Sequence, residues 1–270
     1  MVDGRDRRYV LNLPPGHEAM GKVPLVIAMH GGGGSAAQFE EGSLLTRKAD
    51  ASGFAVAYPE GTARTAIGLK TWNAGGCCGS AVAQQVDDVK FIEAMIDDIA
   101  ANWPIDLRRV HATGHSNGGM MAYRLACDLS TKIASIAPNA AALVHATCAP
   151  SRPVAVLHMH SRRDRNVPVA GGKGVGISGV SYPSLDATIG TWVRLDGCRE
   201  SPQVDAVAGR YTRTRWTACG AQSEVRLLLT EDGGHAWPGG IRQRAVADAP
   251  STAIDANDEI WAFFRAHRLR

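Results

Sequence analysis

The stretch "VHATGHSNGGMMAYRLAC" (Val110–Cys127) decides the fold. It begins with an apolar run typical of a buried strand and ends with a helical pattern. Between the two, Ser116 follows Gly114 by two residues and precedes Gly118 by two. So tight a strand-to-helix turn pushes the serine out above the strand end, and glycines at these positions remove side chains that would collide with neighbouring backbone. The pattern predicts an exposed serine nucleophile.

Composition narrows the class of protein. The 270 residues are 45% hydrophobic, which suits one large catalytic domain over residues 1–270. A net charge of +3 is too mild to indicate binding to nucleic acid or to a charged membrane surface. No apolar run is long enough to span a bilayer, and the first residues lack the pattern of a secretory leader.

Apolar runs and helical patterns alternate along the chain. Six short runs, continuous rather than alternating in polarity, predict strands buried on both faces of a parallel sheet. Four other stretches have helical spacing, and Ser184 is a plausible N-cap for one of them. We therefore predict an α/β fold with a mostly parallel central sheet flanked by helices. The runs begin at Pro24, Phe54, Val110, Ile133, Pro153 and Glu224, and the helical stretches cover 86–103, 118–129, 183–195 and 255–267.

A glycine-rich loop supplies candidate oxyanion donors. The stretch "IAMHGGGGS" follows the first predicted buried strand, and glycines allow the backbone to approach a substrate oxygen. We predict that the N–H of Gly32, or failing that of Gly33, forms an oxyanion hole with the N–H of Asn117. The loop lacks the Lys-Ser/Thr of a phosphate-binding P-loop.

A serine nucleophile needs a base and an acid that orients the base. His235 stands in a turn after the last predicted strand, and Asp164 follows an earlier strand, so the chain order is Ser, Asp, His. We predict the triad Ser116, Asp164 and His235, which performs acyl transfer without a metal or organic cofactor. The alternatives weighed for these roles are His115, which should point elsewhere, the core or support histidines His158 and His160, and the acids Asp186, Asp196, Asp205 and Asp232.

Together with "YPEGT", "TWNAGGCCG" and "GGHAWPGG", these motifs resemble the poly(3-hydroxybutyrate) depolymerase-like esterases, relatives of the feruloyl and acetylxylan esterases of carbohydrate esterase family 1. The likeness runs from about residue 24 to residue 240. It implies an α/β-hydrolase fold, the same triad and usually secretion. It also suggests that Trp72 and Asn73 lie near the substrate, and we expect Trp237 to line the mouth of the site. The sequence departs from the family pattern at 161–163, where arginines make the surroundings of Asp164 unusually basic.

The six cysteines bear on the compartment. None forms a CxxC pair, so a zinc or thioredoxin-like site is not indicated. Cys198 and Cys219 flank a short hairpin-like segment and are the favoured disulfide, whereas the other four cannot be connected from sequence. An oxidising compartment, extracellular or periplasmic with the leader removed, is favoured over the cytoplasm.

The substrate is less defined than the chemistry. The best interpretation is a feruloyl or acetylxylan-type esterase acting on polysaccharide-linked esters, and the alternative is a depolymerase of poly(3-hydroxybutyrate) or of a related polyester or its oligomers. A serine peptidase on the same fold would need an acidic cluster or an added domain, which the sequence does not show. A non-catalytic binding protein would not need all three triad residues.

Overall fold

The structure is a computed structural model that describes residues 1–65, 68–199, 201–207 and 209–270. Within these ranges nine strands form one sheet, and two antiparallel strands of two residues each form a separate small sheet. The strands are β1 (Tyr9–Asn12), β2 (Val23–Met29), β3 (Ala55–Pro59), β4 (Ile105–His115), β5 (Ser135–Asn139), β6 (Ala155–Ser161), β7 (Gly172–Lys173), β8 (Ser181–Tyr182), β9 (Gln203–Val207), β10 (Tyr211–Trp216) and β11 (Val225–Thr230).

The sheet has the order β1-β3-β2-β4-β5-β6-β11-β10-β9. Its six central strands, from β3 to β11, are parallel, and they are the six strands predicted from the apolar runs. Strand β1 is antiparallel at one edge, and β10 and β9 are antiparallel at the other. The predicted α/β fold with a mostly parallel sheet is confirmed.

Strand β2 shows why the central runs are continuously apolar. Leu25, Ile27 and Met29 pack into the hydrophobic cluster on one face of the sheet. Val26 and Ala28, which alternate with them, pack into the cluster on the other face. All five are fully buried. Because both faces are covered, no position along the strand is left for a polar residue.

Helices cover both faces. The cluster on one face includes residues of α4, α5 and α6, and the cluster on the other includes residues of α1, α2 and α7. The four predicted helices are confirmed as α4 to α7, and Ser184 caps α6 by accepting the N–H of Ala187. The helices are α1 (Ala36–Ser43), α2 (Leu45–Ser52), α3 (Gly79–Ala83), α4 (Asp88–Asn102), α5 (Asn117–Asp128), α6 (Leu185–Leu195) and α7 (Ala256–Phe264).

All six cysteines are paired. The favoured pair Cys198–Cys219 is confirmed, and it brackets the antiparallel strands β9 and β10. The structure also pairs Cys127 with Cys148, and the neighbours Cys77 and Cys78 with each other across a cis peptide bond. Among the described residues no helix has the length and apolar character needed to cross a membrane.

The parallel strands place the predicted site residues at one edge. The carboxyl ends of β2, β4, β5, β6 and β11 lie at the same edge of the sheet, because these strands run in one direction. The loops after β2, β4, β6 and β11 carry the glycine-rich stretch, Ser116, Asp164 and His235, respectively. Ligand sites of open α/β sheets form at this edge.

Candidate active site

Ser116 occupies a strained turn between β4 and α5. Its backbone has φ 54° and ψ −120°, a conformation that non-glycine residues adopt only when their surroundings enforce it. A Cβ atom on Gly118 would lie 2.2 Å from the carbonyl oxygen of Met29, and one on Gly114 would lie 2.5 Å from the carbonyl carbon of Gly118. The two glycines therefore let α5 approach β2 and β4 closely, as the sequence predicts.

The two residues predicted to supply oxyanion donors line the same cavity as Ser116. Asn117 is the first residue of α5, where N–H groups have no partner within the helix. Gly32 lines the same cavity as Ser116 and Asn117. By contrast, the N–H of Gly33 donates to the carbonyl of Lys70 at 2.7 Å, so Gly33 is unsuited to be an oxyanion donor. The geometry favours Gly32 over Gly33.

The loop after β6 brings Asp164 to His235. Oδ2 of Asp164 lies 2.8 Å from Nδ1 of His235. Oδ1 accepts the backbone N–H groups of Asn166 and Val167 at 2.8 and 2.9 Å. Asp164 is only 4% exposed, so its carboxylate is held rigidly with one oxygen directed at the imidazole.

The pKa of Asp164 is held far below its usual range. Burial by itself raises it, but the hydrogen-bonding contacts with His160 and His235 outweigh burial. One arginine of the basic loop is directed elsewhere, because the Arg162 guanidinium pairs with Glu231 at 2.7 Å. Asp164 is therefore ionised at all ordinary pH values, which suits a group that stabilises an imidazolium.

His115 differs from its prediction, because its side chain lies against the proposed base. The rings of His115 and His235 are 4.6 Å apart between centroids. Asn139, at the end of β5, contacts Nδ1 of His115 at 2.9 Å and donates to the carbonyl of Ala236 at 3.0 Å. Burial, followed by repulsion from His235, lowers the pKa of His115 to about 3, so it is a neutral neighbour.

Asp248 is a second contact to His235 that the sequence reasoning missed. Its Oδ2 accepts the backbone N–H of His235 at 2.7 Å. Asp248 lies thirteen residues further along the chain, in a stretch without a strand or helix. Neither pattern nor spacing identifies such a contact, since it depends on how one loop folds over another.

Ser116 and His235 line one cavity of about 550 Å³. Within the ranges that the structure describes, no hydrogen bond joins the Ser116 hydroxyl to the His235 ring. Catalytic hydrogen bonds are often long before substrate binds, so the shared cavity is the relevant observation. Other lining side chains include Arg64, Leu69, Thr71, Asn166, Val167, Ile177, Ser178 and Tyr182.

The expectation that Trp72 and Asn73 contact the substrate is not supported by their positions. Trp72 is fully buried, and its Nε1 donates to the carbonyl of His30 at 2.9 Å. The Asn73 side chain donates to the carbonyl of Val86. Neither side chain lines the cavity. Instead, Asn117 contacts both backbone polar groups of Trp72, so this loop supports the start of α5.

Trp237 is also directed away from the cavity. It is 6% exposed, and its Nε1 donates to Oδ1 of Asn257 at 3.2 Å. Its ring packs edge-on against Phe39 of α1, in the opposite helix layer. The expectation that Trp237 lines the mouth is therefore corrected: it anchors the His235 loop to the core.

No cluster of three metal-ligating side chains is found among the described residues.

Sequence comparison places the chain in a family. It matches the family model described as "Esterase PHB depolymerase" over residues 7–224. It is 31% identical to the putative esterase NocK of Nocardia uniformis subsp. tsuyamanensis, over 94% of this chain and 80% of that protein. It is 30% identical to feruloyl esterase B of Piromyces equi over 85% of this chain, although it spans only 42% of that protein.

Structural comparison agrees on the fold. The acetyl xylan esterase from Aspergillus awamori superposes with a TM-score of 0.67, covering 96% of this chain and 94% of that chain at 16% identity. The match over residues 7–224 covers well over half of the chain. The chain therefore belongs to the Esterase PHB depolymerase family, and it is a carboxylic ester hydrolase.

Proposed function

We propose that Ser116, His235 and Asp164 form a catalytic triad that hydrolyses carboxylic esters through an acyl-enzyme. The observation that carries this proposal is the 2.8 Å contact between Asp164 and His235, beside a cavity that His235 shares with the strained Ser116. With Nδ1 donating to Asp164, the neutral imidazole has a bare Nε2 that can accept the serine proton. The assignment gives each group a role that its contacts allow.

The reaction has two balanced steps. Ser116 Oγ attacks the ester carbonyl while His235 takes its proton, and the N–H groups of Gly32 and Asn117 hold the oxyanion. His235 returns the proton to the departing alcohol, which leaves the acyl group on Ser116. Water then attacks the acyl-enzyme while His235 takes its proton, the bond between the acyl group and Ser116 Oγ breaks, and His235 returns the proton to Oγ as the acid leaves. No metal or organic cofactor takes part in this scheme.

The proposed substrates are esters of the feruloyl or acetylxylan type. The support is the similarity to feruloyl esterase B and a cavity of about 550 Å³ lined by Leu69, Val167, Ile177 and Tyr182. These side chains offer an apolar surface and one aromatic ring to an acyl group. The alternative substrate class, hydroxybutyrate polyester or its oligomers, is favoured by the family description.

A substrate panel tests both parts of the proposal. We expect Ser116→Ala to reduce turnover of a nitrophenyl ester by at least about 10³-fold with unchanged folding. Unchanged turnover would refute the triad. Release of ferulate from methyl ferulate, of acetate from acetylated xylan and of hydroxybutyrate from short oligomers is then compared by kcat/KM. Preference for the oligomers would overturn the feruloyl or acetylxylan assignment in favour of the alternative.

The cysteine pairs bear on where the reaction takes place. Disulfides persist in oxidising compartments, and all six cysteines are paired. We therefore expect the protein to act outside the cytoplasm, secreted or periplasmic, as one catalytic domain. Retention of free thiols in protein purified from its native compartment under alkylation would contradict this placement.

A further inference from the structure

A chain of buried hydrogen bonds leads from the core to Asp164. Tyr123 of α5 contacts Nδ1 of His158 through its hydroxyl at 2.6 Å. Nε2 of His158 lies 3.0 Å from Nδ1 of His160. Nε2 of His160 lies 2.9 Å from the carbonyl of Val167 and 3.4 Å from Oδ2 of Asp164. The tyrosine and both histidines are at most 2% exposed.

The donors and acceptors in this chain allow its hydrogen bonds to run in only one direction. The carbonyl of Val167 can only accept, so Nε2 of His160 carries a hydrogen. Nδ1 of neutral His160 is then an acceptor, and Nε2 of His158 must donate to it. Nδ1 of His158 in turn accepts the hydroxyl hydrogen of Tyr123. Every contact is satisfied when both histidines are neutral and protonated on Nε2.

A positive charge on His160 is opposed by the same contacts. Imidazolium has a hydrogen on both nitrogens, so Nδ1–H of His160 would meet Nε2–H of His158 at 3.0 Å. Relief requires His158 to move its hydrogen to Nδ1, which turns the Tyr123 hydroxyl into an acceptor. The hydroxyl hydrogen would then need a new partner, and the described residues record none besides His158. An unpartnered buried donor is costly.

We propose that this chain determines which imidazole on Asp164 becomes positive during turnover. Oδ2 of Asp164 faces two imidazoles, His235 at 2.8 Å and His160 at 3.4 Å. This series of hydrogen bonds keeps His160 neutral, so the Asp164 carboxylate stabilises positive charge on His235 alone. Tyr123, His158 and His160 are thus positioning residues. This role rests on the proposed function, because it presumes that His235 takes the serine proton.

The surroundings of His160 contain further titratable groups. Burial holds the pKa of His158 well below its usual range. Burial likewise raises the pKa of Tyr123 well above its usual range, so it remains a donor. The titratable groups outside the chain that act on His160 or on its neighbour Asp164 are His115, His235 and Tyr182.

Tyr123→Phe removes the hydroxyl with little change in side-chain shape, and it tests whether the hydrogen-bond chain keeps His160 neutral. Without the hydroxyl, Nδ1 of His158 lacks a partner in either direction of the chain, so the original direction loses its advantage. Reversal then costs less, and His160 can bind a proton that competes for Asp164. We expect kcat at pH 6 to fall about tenfold against wild type, with kcat at pH 8 within about twofold and KM unchanged. Tyr58→Phe is the matched control, because Tyr58 is also fully buried and its hydroxyl contacts Thr46 at 2.9 Å in the other helix layer.

His158→Gln supplies a rescue. The glutamine oxygen can accept from Tyr123 and its N–H can donate to His160, so the direction of the chain is retained. We expect the ratio of kcat at pH 6 to kcat at pH 8 to stay within about twofold of wild type. A wild-type ratio in Tyr123→Phe, or an equal loss in Tyr123→Phe and Tyr58→Phe, would overturn the proposal.

Nitrogen-15 NMR of the histidine rings measures the protonation of His158 and His160 in the unmodified protein. We expect His158 and His160 to be neutral with hydrogen on Nε2, and their shifts to be constant from pH 5.5 to 8.5. A titrating His160, or hydrogen on its Nδ1, would refute the proposal even if Tyr123→Phe failed to fold. Failure of the triad itself is recognised separately, by activity that persists in Ser116→Ala.

Discussion

Replacement of Gly118 by alanine tests how closely α5 must approach β2. The Cβ of Gly118→Ala would lie 2.2 Å from the carbonyl oxygen of Met29 and 2.5 Å from that of His30. These are backbone atoms of the central sheet and of the oxyanion loop, so neither can rotate away. Ordinary contact lies near 3.5 Å, so the helix start must retreat by about 1 Å.

The retreat moves the catalytic groups themselves. Gly118 follows Asn117 and Ser116 directly, so a shift of this size displaces both the nucleophile and an oxyanion donor. A misplacement of about 1 Å costs about 10²-fold in rate. Overpacking of a core costs about 1–3 kcal/mol of stability. We expect Gly118→Ala to lower kcat/KM about 100-fold and to lower the melting temperature.

Steady-state hydrolysis of a nitrophenyl ester and thermal unfolding measure both effects. Gly190→Ala is the matched control: Gly190 also lies in a helix, but a Cβ there would meet only the Arg194 guanidinium at 3.5 Å. Alanine at that position should stabilise α6 by about 1 kcal/mol and leave kcat/KM unchanged. If Gly118→Ala were as active and as stable as Gly190→Ala, the close-approach reasoning would be refuted.

Three further changes probe other parts of the molecule. Asp164→Asn leaves the wrong tautomer of His235, so kcat should fall about 10³–10⁴-fold with little change in KM; a small loss of kcat would argue against an orienting carboxylate. Burial raises the pKa of Asp196 to about 7, so the folded state binds this proton more tightly than the unfolded chain and stability falls as pH rises from about 4 to about 7. Urea unfolding at pH 5 and pH 8 should show that Asp196→Asn removes the part of this loss that falls between those two pH values, about 3 kcal/mol, and an unchanged pH dependence would contradict it. Removal of the Cys198–Cys219 link by Cys198→Ala with Cys219→Ala opens a loop of 21 residues, and it should reduce the free energy of unfolding by about 3 kcal/mol; equal stability would show that the unfolded chain is not constrained by this link.

The central strands were predictable because burial on both faces leaves a strong local pattern. The alternation of Leu25 and Val26 between the two helix layers makes β2 apolar throughout. The edge strand β9 lacks that pattern, since four of its five residues are exposed. The short helices α1 and α2 were missed for a related reason: each buries only two to four residues and has no long periodic stripe.

In the site, the chain order and strand ends identified Asp164 and His235 as partners. Asp232, an alternative acid only three residues before His235, has a carboxylate that contacts Ser251 and Thr252 instead. The side chain of Trp237 was not predictable, because its direction is set by how a loop turns towards the opposite helix layer. The same holds for contacts between loops, which no periodicity encodes.

The most direct test of the account is to locate the reactive nucleophile. The active protein is treated with a fluorophosphonate and digested, and the modified peptide is found by mass spectrometry. The account predicts one adduct, on Ser116, which is absent from heat-denatured protein and from Ser116→Ala. An adduct on another side chain, or full hydrolytic activity in protein that carries the adduct on Ser116, would contradict it.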